Sequence, residues 1–404
     1  MAATPITNGL GEAGAYERKD WPRYVRTTDI ADSRNLKQDT FKSLPPALAS
    51  RAMIQPGDLL MTAAGATIGK SYLHSGNEPA CYAGYLVRFR SAPGVDPRFI
   101  AYWTESKPYW DQITTGAVRS TIDNFSAGKY RNMTLSAPLL EEQHRIADFL
   151  DAETARIDKL VRLRSRQSSL IGEGLAAEAV DLTGRSQIRG GGGRTESMVQ
   201  LRRAAMSTQT GSTPANLHDL SDGSTSEDSI PWYTPAAIDS RMSITTAEKA
   251  THRNGVPLFP ADSVLITGIG ESLGKVAYLD HVATGNQQLT AITPQVGVSG
   301  RFMAWQLWAA EQEIREWAQY SRIRIINNDS LKSFPIYLPS RAEQDTVVRT
   351  LDSHMARVRQ ATDAFLRFQR LADERRRALI TAAVTGQFDV STASGRNVTD
   401  GVSA

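Results

Sequence analysis

A proline-led opening into a long helical pattern occurs twice in this chain, and that repetition limits the architecture more than any other feature. The first copy is Pro138-Leu-Leu-Glu-Glu-Gln-His-Arg-Ile-Ala-Asp-Phe-Leu-Asp151 and the second Pro339-Ser-Arg-Ala-Glu-Gln-Asp-Thr-Val-Val-Arg-Thr-Leu-Asp352. At a constant offset of 201, Pro138 falls on Pro339, Glu142-Gln143 on Glu343-Gln344 and Leu150-Asp151 on Leu351-Asp352. Each copy runs on with steps of four and three, as a coiled-coil seam with polar interruptions does. The first seam is Leu150, Thr154, Ile157, Val161, Arg164, Ser168, Ile171 and Leu175; the second is Val348, Leu351, Met355, Val358, Thr362, Phe365, Gln369 and Ala372. Both patterns end alike, in Ala179-Val180 before Thr183-Gly184 and in Ala383-Val384-Thr385-Gly386. Two ordinary amphipathic surface helices would not share opening, register and ending, so the chain is read as a tandem duplication.

At 404 residues there is room for two or three domains with real cores. Hydrophobic content of 41% and charged content of 22% suit a globular protein. The net charge of +3 is too small to announce a polyanion partner by itself, so such a partner must meet local patches. The single cysteine, Cys81, excludes internal disulfides and suits a reducing compartment. The start lacks the basic-then-apolar pattern of a signal peptide, and no apolar run approaches the ~18 residues that span a bilayer. A cytoplasmic protein without a membrane partner is expected.

Residues 1–20 read as a loose, Gly- and Ala-rich lead-in. Short β-type runs follow, then a helical piece over Pro97–Gln112 rich in aromatics, then turn signals up to Pro138. Residues 183–197, with Arg189-Gly-Gly-Gly-Gly-Arg194, have no periodicity and read as a flexible linker. The second half repeats the order of the first. Tyr24–Ile30 matches Trp232–Ile238 loosely, Pro56-Gly-Asp58 matches Pro260-Ala-Asp262, Gly65–Lys70 matches Gly270–Lys275, and the aromatic helix returns as Phe302–Trp317. Offsets that drift in loops and hold within elements are what a diverged duplication leaves.

No catalytic constellation stands out. Gly65-Ala-Thr-Ile-Gly-Lys-Ser71 has three residues between its glycines where a phosphate-binding P-loop needs four, and its copy ends Gly274-Lys275-Val276 without a hydroxyl for Mg²⁺. A strand–turn–strand with a projecting lysine is the better reading, and such a turn suits a nucleic-acid phosphate through Thr67 and Lys70, or Ser272 and Lys275. The six histidines form no metal-ligand spacing, so no metal is expected. The loops ahead of the long helices carry better candidates. Arg119, Ser120, Thr121 and Asn124 occupy the first, and Arg322, Arg324, Asn327 and Asn328 the second. Arg and Asn can read guanine and adenine edges by paired hydrogen bonds, while Ser and Thr suit phosphates or either base. A solvated turn leading into each helix is the plain alternative. Basic residues along the helices, among them Arg162, Arg164 and Arg375-Arg-Arg377, read first as solvated or partner-paired.

These features together resemble the specificity (S) subunits of type I restriction–modification systems. The resemblance is carried by the Pro138 segment, its repeat at Pro339, the Ala-Val-Thr-Gly-Gln-Phe-Asp-Val390 ending and Gly211-Ser-Thr-Pro214, and it covers about residues 22–390. It implies an α+β fold class, with two mixed α/β target-recognition domains in tandem pseudo-twofold repeat, separated by two long antiparallel coiled-coil helices. The divisions expected are residues 1–140 for the first domain, 141–182 for its helix, 183–197 for the linker, 198–339 for the second domain, 340–386 for its helix and 387–404 for a tail. The implied function is non-catalytic reading of a bipartite, gapped site in double-stranded DNA. The implied partners are two methyltransferase subunits, which carry S-adenosylmethionine while this chain holds no cofactor, with restriction subunits as a further partner. Glu142, Gln143, Ile146, Phe149, Glu343 and Gln344 are the partner-binding residues expected. A two-headed coiled-coil scaffold without a DNA role, or a stand-alone nucleic-acid enzyme, is the alternative. Two departures stand out. Ile157-Asp158 is replaced by Val358-Arg359, and the first half lacks an evident counterpart of Val199–Pro214, which a trimmed domain, an upstream start or the segment Gln387–Val390 would explain.

Overall fold

A computed structural model describes residues 1–13, 16–76, 78–116, 124–186, 198–214, 221–222, 229–247, 249–320 and 324–390. The chain divides into two compact units, Met1–Arg164 with Leu366–Ala404, and Ser165–Phe365. Each unit therefore takes one part of each long helix. Among the described residues no helix is long and apolar enough to cross a membrane.

In the first unit the strands are β1 (Thr7–Asn8), β2 (Arg23–Val25), β3 (Leu59–Thr62), β4 (Ser71–Leu73), β5 (Ala80–Tyr82) and β6 (Leu86–Phe89). An antiparallel sheet runs in the order β1-β6-β3-β4, and β2 pairs with β5 in parallel. Every residue of β3 is buried. Because successive side chains alternate between faces, Leu59 and Met61 enter one core while Leu60 enters a second beneath the sheet with Tyr24, Val25 and Cys81. The helices are α1 (Pro46–Ala49), α2 (Pro97–Trp103), α3 (Lys107–Gly116), α4 (Ala127–Arg131) and α5 (Leu140–Leu182).

The aromatic helix expected over Pro97–Gln112 is two helices. Asp96 caps α2 by accepting from the Arg98 N–H at 2.8 Å, with Pro97 at its first position. Thr104 and Ser106 then turn their hydroxyls onto the carbonyls of Ala101 and Trp103, each at 2.6 Å. Pro108 has no N–H to continue a helix from above, so it sits in the first turn of a new one.

The second unit repeats this plan with additions. Its strands are β7 (Met198–Gln200), β8 (Ala205–Thr210), β9 (Ser221–Asp222), β10 (Ser229–Tyr233), β11 (Lys249–His252), β12 (Ser263–Thr267), β13 (Val276–Leu279), β14 (Thr284–Gly285), β15 (Leu289–Pro294), β16 (Gln319–Tyr320), β17 (Arg324–Ile325) and β18 (Pro335–Tyr337). Its helices are α6 (Gly300–Ala309), α7 (Glu311–Trp317), α8 (Asn328–Ser333) and α9 (Arg341–Val384). The expected helix Phe302–Trp317 is likewise split, at Ala310. Sheet order β13-β12-β15-β8 corresponds to β4-β3-β6-β1, and the parallel pair β10–β14 to β2–β5. Val264 and Ile266 face the helices while Leu265 faces the opposite core, as Leu59, Met61 and Leu60 do in the first unit.

The pairing corrects the reading of residues 1–20 as a lead-in. Thr7 pairs with Arg88 and Asn8 with Val87, as Gln209 pairs with Ala291 and Thr210 with Thr290. The amino-terminal residues are therefore the counterpart of β8. In the second unit β8 is preceded by β7, which pairs with β18. There Val199 and Leu201 pack into the core beside Leu331, Phe334 and Ile336. In the first unit Val390 and Phe388 belong to the same core as Tyr130, Met133 and Leu135, the residues at the corresponding offset of 201. The segment after the second long helix thus completes the first core.

Of the two helices, α5 has 43 residues and α9 has 44. In the first unit Ile146 and Leu150, early in α5, share a core with Leu379, Ile380 and Ala383, late in α9. In the second, Leu175 and Ala179, late in α5, share a core with Leu351, Met355 and Val358, early in α9. The helices are antiparallel within each unit. The seam is not buried throughout: Leu150, Thr154, Ile157 and Leu175 are buried, whereas Arg164 and Ile171 are exposed. The replacement of Asp158 by Arg359 has a local cause. Asp158 accepts from Arg376 of α9 at 2.6 Å, while Arg359 reaches the turn of its own unit, donating to Ser243 Oγ at 2.6 Å and the Arg241 carbonyl at 3.2 Å.

Candidate nucleic-acid interface

In the first unit β3 and β4 are joined by the turn 65–70, with Gly65 and Gly69 at positive φ. Tyr109 of α3 donates to the Gly69 carbonyl at 2.7 Å and Tyr130 of α4 to the Thr62 carbonyl at 2.6 Å, fixing the turn from below. Burial pushes both phenols up, Tyr130 to about 12, so both remain protonated donors. A Cβ on Gly69 would lie 2.9 Å from the Trp110 ring. Thr67 is exposed at the tip. Lys70 projects less than expected: half-buried, it donates from Nζ to the Ile30 carbonyl at 2.9 Å. The pre-helix loop lies against this turn, because Ala64 bridges Asn124 and the Phe125 N–H donates to the Ala63 carbonyl at 2.8 Å. Asn124 is exposed there, while Arg119, Ser120 and Thr121 lie outside the described residues.

The second unit brings the corresponding segments together. Its turn 270–275 joins β12 to β13, and Ile269 bridges Ile325. The Gly270 N–H donates to the Arg324 carbonyl at 3.1 Å and the Ile326 N–H to the Gly268 carbonyl at 2.9 Å. Ser272 and Lys275 are half-buried on the turn, and Arg324 is exposed on β17. Asn327 caps α8, its side chain accepting from the Ser330 N–H at 2.8 Å. Asn328 donates to Thr210 Oγ1 at 3.3 Å and so ties the loop to β8. These two asparagines have structural duties at the edge of the surface. Arg322 lies outside the described residues.

The expected partner-binding residues separate into inner and outer ones. Gln143 and Gln344 are 2% exposed. Gln143 Oε1 accepts from the Asp96 N–H at 3.0 Å and its Nε2 donates to the Pro138 carbonyl at 2.8 Å. Gln344 repeats both bonds, with the Ser299 N–H at 2.9 Å and the Pro339 carbonyl at 2.9 Å. Ile146 is also buried, in the core, and Phe149 is half-buried against Phe388. The repeated glutamine and Ile146, expected as partner-binding residues, are buried as parts of the fold. Glu343 forms a capping box with Ser340, accepting from its N–H at 3.0 Å, and Glu142 pairs with Arg145.

A cavity of about 850 Å³ in the first unit opens beside the turn, lined among others by Arg34, Lys70, Glu105, Trp110, Asp158 and Arg376. Charges of both signs answer one another around it. Arg34 lies over the Tyr102 ring at 4.8 Å and pairs with Asp151 at 3.2 Å. Glu105 accepts from Ser33 Oγ at 2.6 Å, with Arg376 at 4.0 Å, and burial raises its carboxyl above the ordinary carboxylate value. Among the described residues no cluster of His, Cys, Asp and Glu could hold a metal ion.

With two such surfaces in place, the comparisons with known proteins bear on what they do. Residues 210–362 match the family described as the type I restriction modification DNA specificity domain. The matched segment is similar to a type I DNA specificity domain. That segment lies within the second unit and includes its turn and pre-helix loop. No curated protein matches the chain in sequence. Among solved structures, a chain from work on complex assembly and conformational transition of the type I R-M system aligns with a TM-score of 0.73 at 17% identity, covering 94% of this chain and 96% of that one. The HsdS subunit from Thermoanaerobacter tengcongensis aligns with a TM-score of 0.54, also at 17% identity, covering 96% and 95%. The fold shared with these structures thus extends beyond the matched segment to the first unit and both long helices.

Proposed function

We propose that this chain is the sequence-reading, non-catalytic subunit of a type I restriction–modification complex, with each unit reading one half of a bipartite site in double-stranded DNA. The observation that carries this reading is the same in both units: the β-hairpin turn and the pre-helix loop are bridged backbone to backbone, Ala64 to Asn124 and Ile269 to Ile325. Each bridge fixes the end of the loop, at Asn124 or at Arg324 and Ile325, against the turn on the sheet, so these residues need no ordering on binding. Thr67, Lys70 and Asn124 with Arg119, Ser120 and Thr121 form the first reading set. Ser272, Lys275 and Arg324 with Arg322 form the second, bordered by Asn327 and Asn328. Phosphate contacts set register and the Arg and Asn side chains select bases.

The helices would dock two methyltransferase subunits, which bring S-adenosylmethionine, and restriction subunits would join that assembly. Support comes from apolar side chains left in solvent along them, Leu160, Leu163 and Leu170 on α5 and Leu366 and Leu371 on α9, each more than 40% exposed. Duplex binding tests the reading. The purified chain should shift duplex DNA with an affinity that falls steeply as salt rises, and should not modify or cut it unaided. Turnover by the chain alone, or salt-insensitive absence of binding, would count against it.

A further inference from the structure

Each candidate interface has a third segment that no sequence motif marks. In the first unit it is the turn from β5 into β6. The Ala63 N–H donates to the Tyr85 carbonyl at 2.8 Å, while the Ala63 carbonyl accepts from Phe125 at 2.8 Å. Residue 63 therefore joins the turn at 85 to the loop that ends at Asn124. Asn8 Nδ2 holds the same turn from β1, donating to the Gly84 carbonyl at 2.9 Å. Ala83 and Leu86 are buried and Gly84 is half-buried, yet Tyr85 is 68% exposed. A single exposed aromatic is ordinary on a protein surface; this one stands on a pinned turn beside the reading loop.

The second unit is built the same way. The Gly268 N–H donates to the Gln288 carbonyl at 2.8 Å, and the Gly268 carbonyl accepts from Ile326 at 2.9 Å. Gln288 thus occupies the place of Tyr85. Its side chain is wired in a particular sense: Asn286 Nδ2 donates to Gln288 Oε1 at 3.1 Å, and Asn286 Oδ1 accepts from the Gln288 N–H at 3.0 Å. Because the amide oxygen already accepts from Asn286, the amide nitrogen, a donor only, is the end of Gln288 with most to offer a ligand.

We infer that Tyr85 and Gln288 are specificity-determining residues of the two interfaces, an assignment that rests on the DNA-reading function proposed above. Gln288 suits base edges that accept, such as purine N7, guanine O6 or thymine O4, and disfavours the cytosine amino group. Tyr85 presents an apolar ring suited to a thymine methyl, with a phenol able to bond at its end. The two half-sites are therefore read at this position by different chemistry.

The test uses the full chain and a pool of duplexes randomised over the site, with the bound fraction sequenced. Tyr85→Ala should relax selection at one base pair of one half-site, and Gln288→Ala at one base pair of the other, each on the order of tenfold. Gln288→Glu, which replaces donors by acceptors at nearly constant shape, should move its base pair toward cytosine on the contacted strand. Thermal melts matching the parent protein establish that the variants fold. Unchanged selection in a variant, where the parent protein selects a site, overturns the assignment for that unit and leaves DNA reading intact. A parent protein that selects no sequence overturns the DNA reading itself.

Discussion

Gln143 accepts the backbone N–H of Asp96 at 3.0 Å and so fastens the first turn of α5 to the start of α2. The bond is buried, and its counterpart between Gln344 and Ser299 fastens α9 to α6 at 2.9 Å. Removing the glutamine leaves a backbone N–H and the carbonyl of Pro138 or Pro339 without that partner inside the protein. Gln143→Ala and Gln344→Ala should each cost about 1–3 kcal/mol in denaturant unfolding. A midpoint equal to the parent protein's for either variant would show that water replaces the amide freely.

Arg185 follows α5 and is fully buried, pairing with Glu313, donating to the Pro335 carbonyl at 2.6 Å and lying over the Phe334 ring at 4.9 Å. It falls inside the stretch 183–197 that reads as flexible linker, so its immobilisation corrects that reading at its first residues. Arg185→Ala removes the pairing with Glu313, the bond to the Pro335 carbonyl and the contact with the Phe334 ring, and should destabilise the second unit by roughly 3 kcal/mol. Arg185→Lys should recover little, since an ammonium neither forks nor stacks as a guanidinium does. Thermal unfolding followed by calorimetry would check both.

Glu105 supplies a pH-dependent prediction. Burial raises its carboxyl above the ordinary value of 4.5, with Ser33 and Arg376 opposing the rise. A raised folded-state value means that the folded protein prefers the protonated acid. Its contribution is therefore fully present below about pH 4.5 and is lost as pH climbs through the raised value. Glu105→Gln removes that loss, and its amide oxygen can still accept from Ser33. The variant should melt about 1–3 °C higher near pH 7, with the difference shrinking toward pH 4. A variant less stable than the parent protein at pH 7 would show that the Arg376 pairing outweighs burial.

What the sequence shows and what it hides differ in physical kind. The repeat is legible because a helical seam repeats every seven residues, and the buried Leu150 and Leu351 keep their places in it. The turns at Gly65–Lys70 and Gly270–Lys275 were legible because glycines at positive φ mark them, four of them in the two turns. Gln143 and Gln344 were not: a polar pair at the head of a helix looks like surface, and only the tertiary N–H of Asp96 or Ser299 makes it interior. β1 was missed for a related reason, since Thr7 and Asn8 enter the sheet through backbone bonds that side chains do not encode. The break between α2 and α3 follows from Pro108, a signal that the aromatic run on both sides of it masks. The third reading segment has no motif at all, since Tyr85 and Gln288 share a position and no chemistry.

The two helices also make a geometric prediction for the proposed function. If they set the spacing between half-sites, inserting one heptad in each preserves which face packs and adds about 10 Å, roughly three base pairs. Mapping the methylated positions in cells carrying the doubly extended chain should show unchanged half-sites with a longer gap. An extension of one helix alone should mispair the seam and lower stability.

The central claim, that each unit reads its own half of one DNA site, is tested most directly by sequencing methylated positions in cells that express Arg119→Ala or Arg322→Ala together with the partner methyltransferase. Losing a base-reading arginine costs about 1–3 kcal/mol of discrimination. The account predicts that Arg119→Ala relaxes the motif in one half-site only and Arg322→Ala in the other only. Identical methylation motifs for the parent protein and both variants would contradict it.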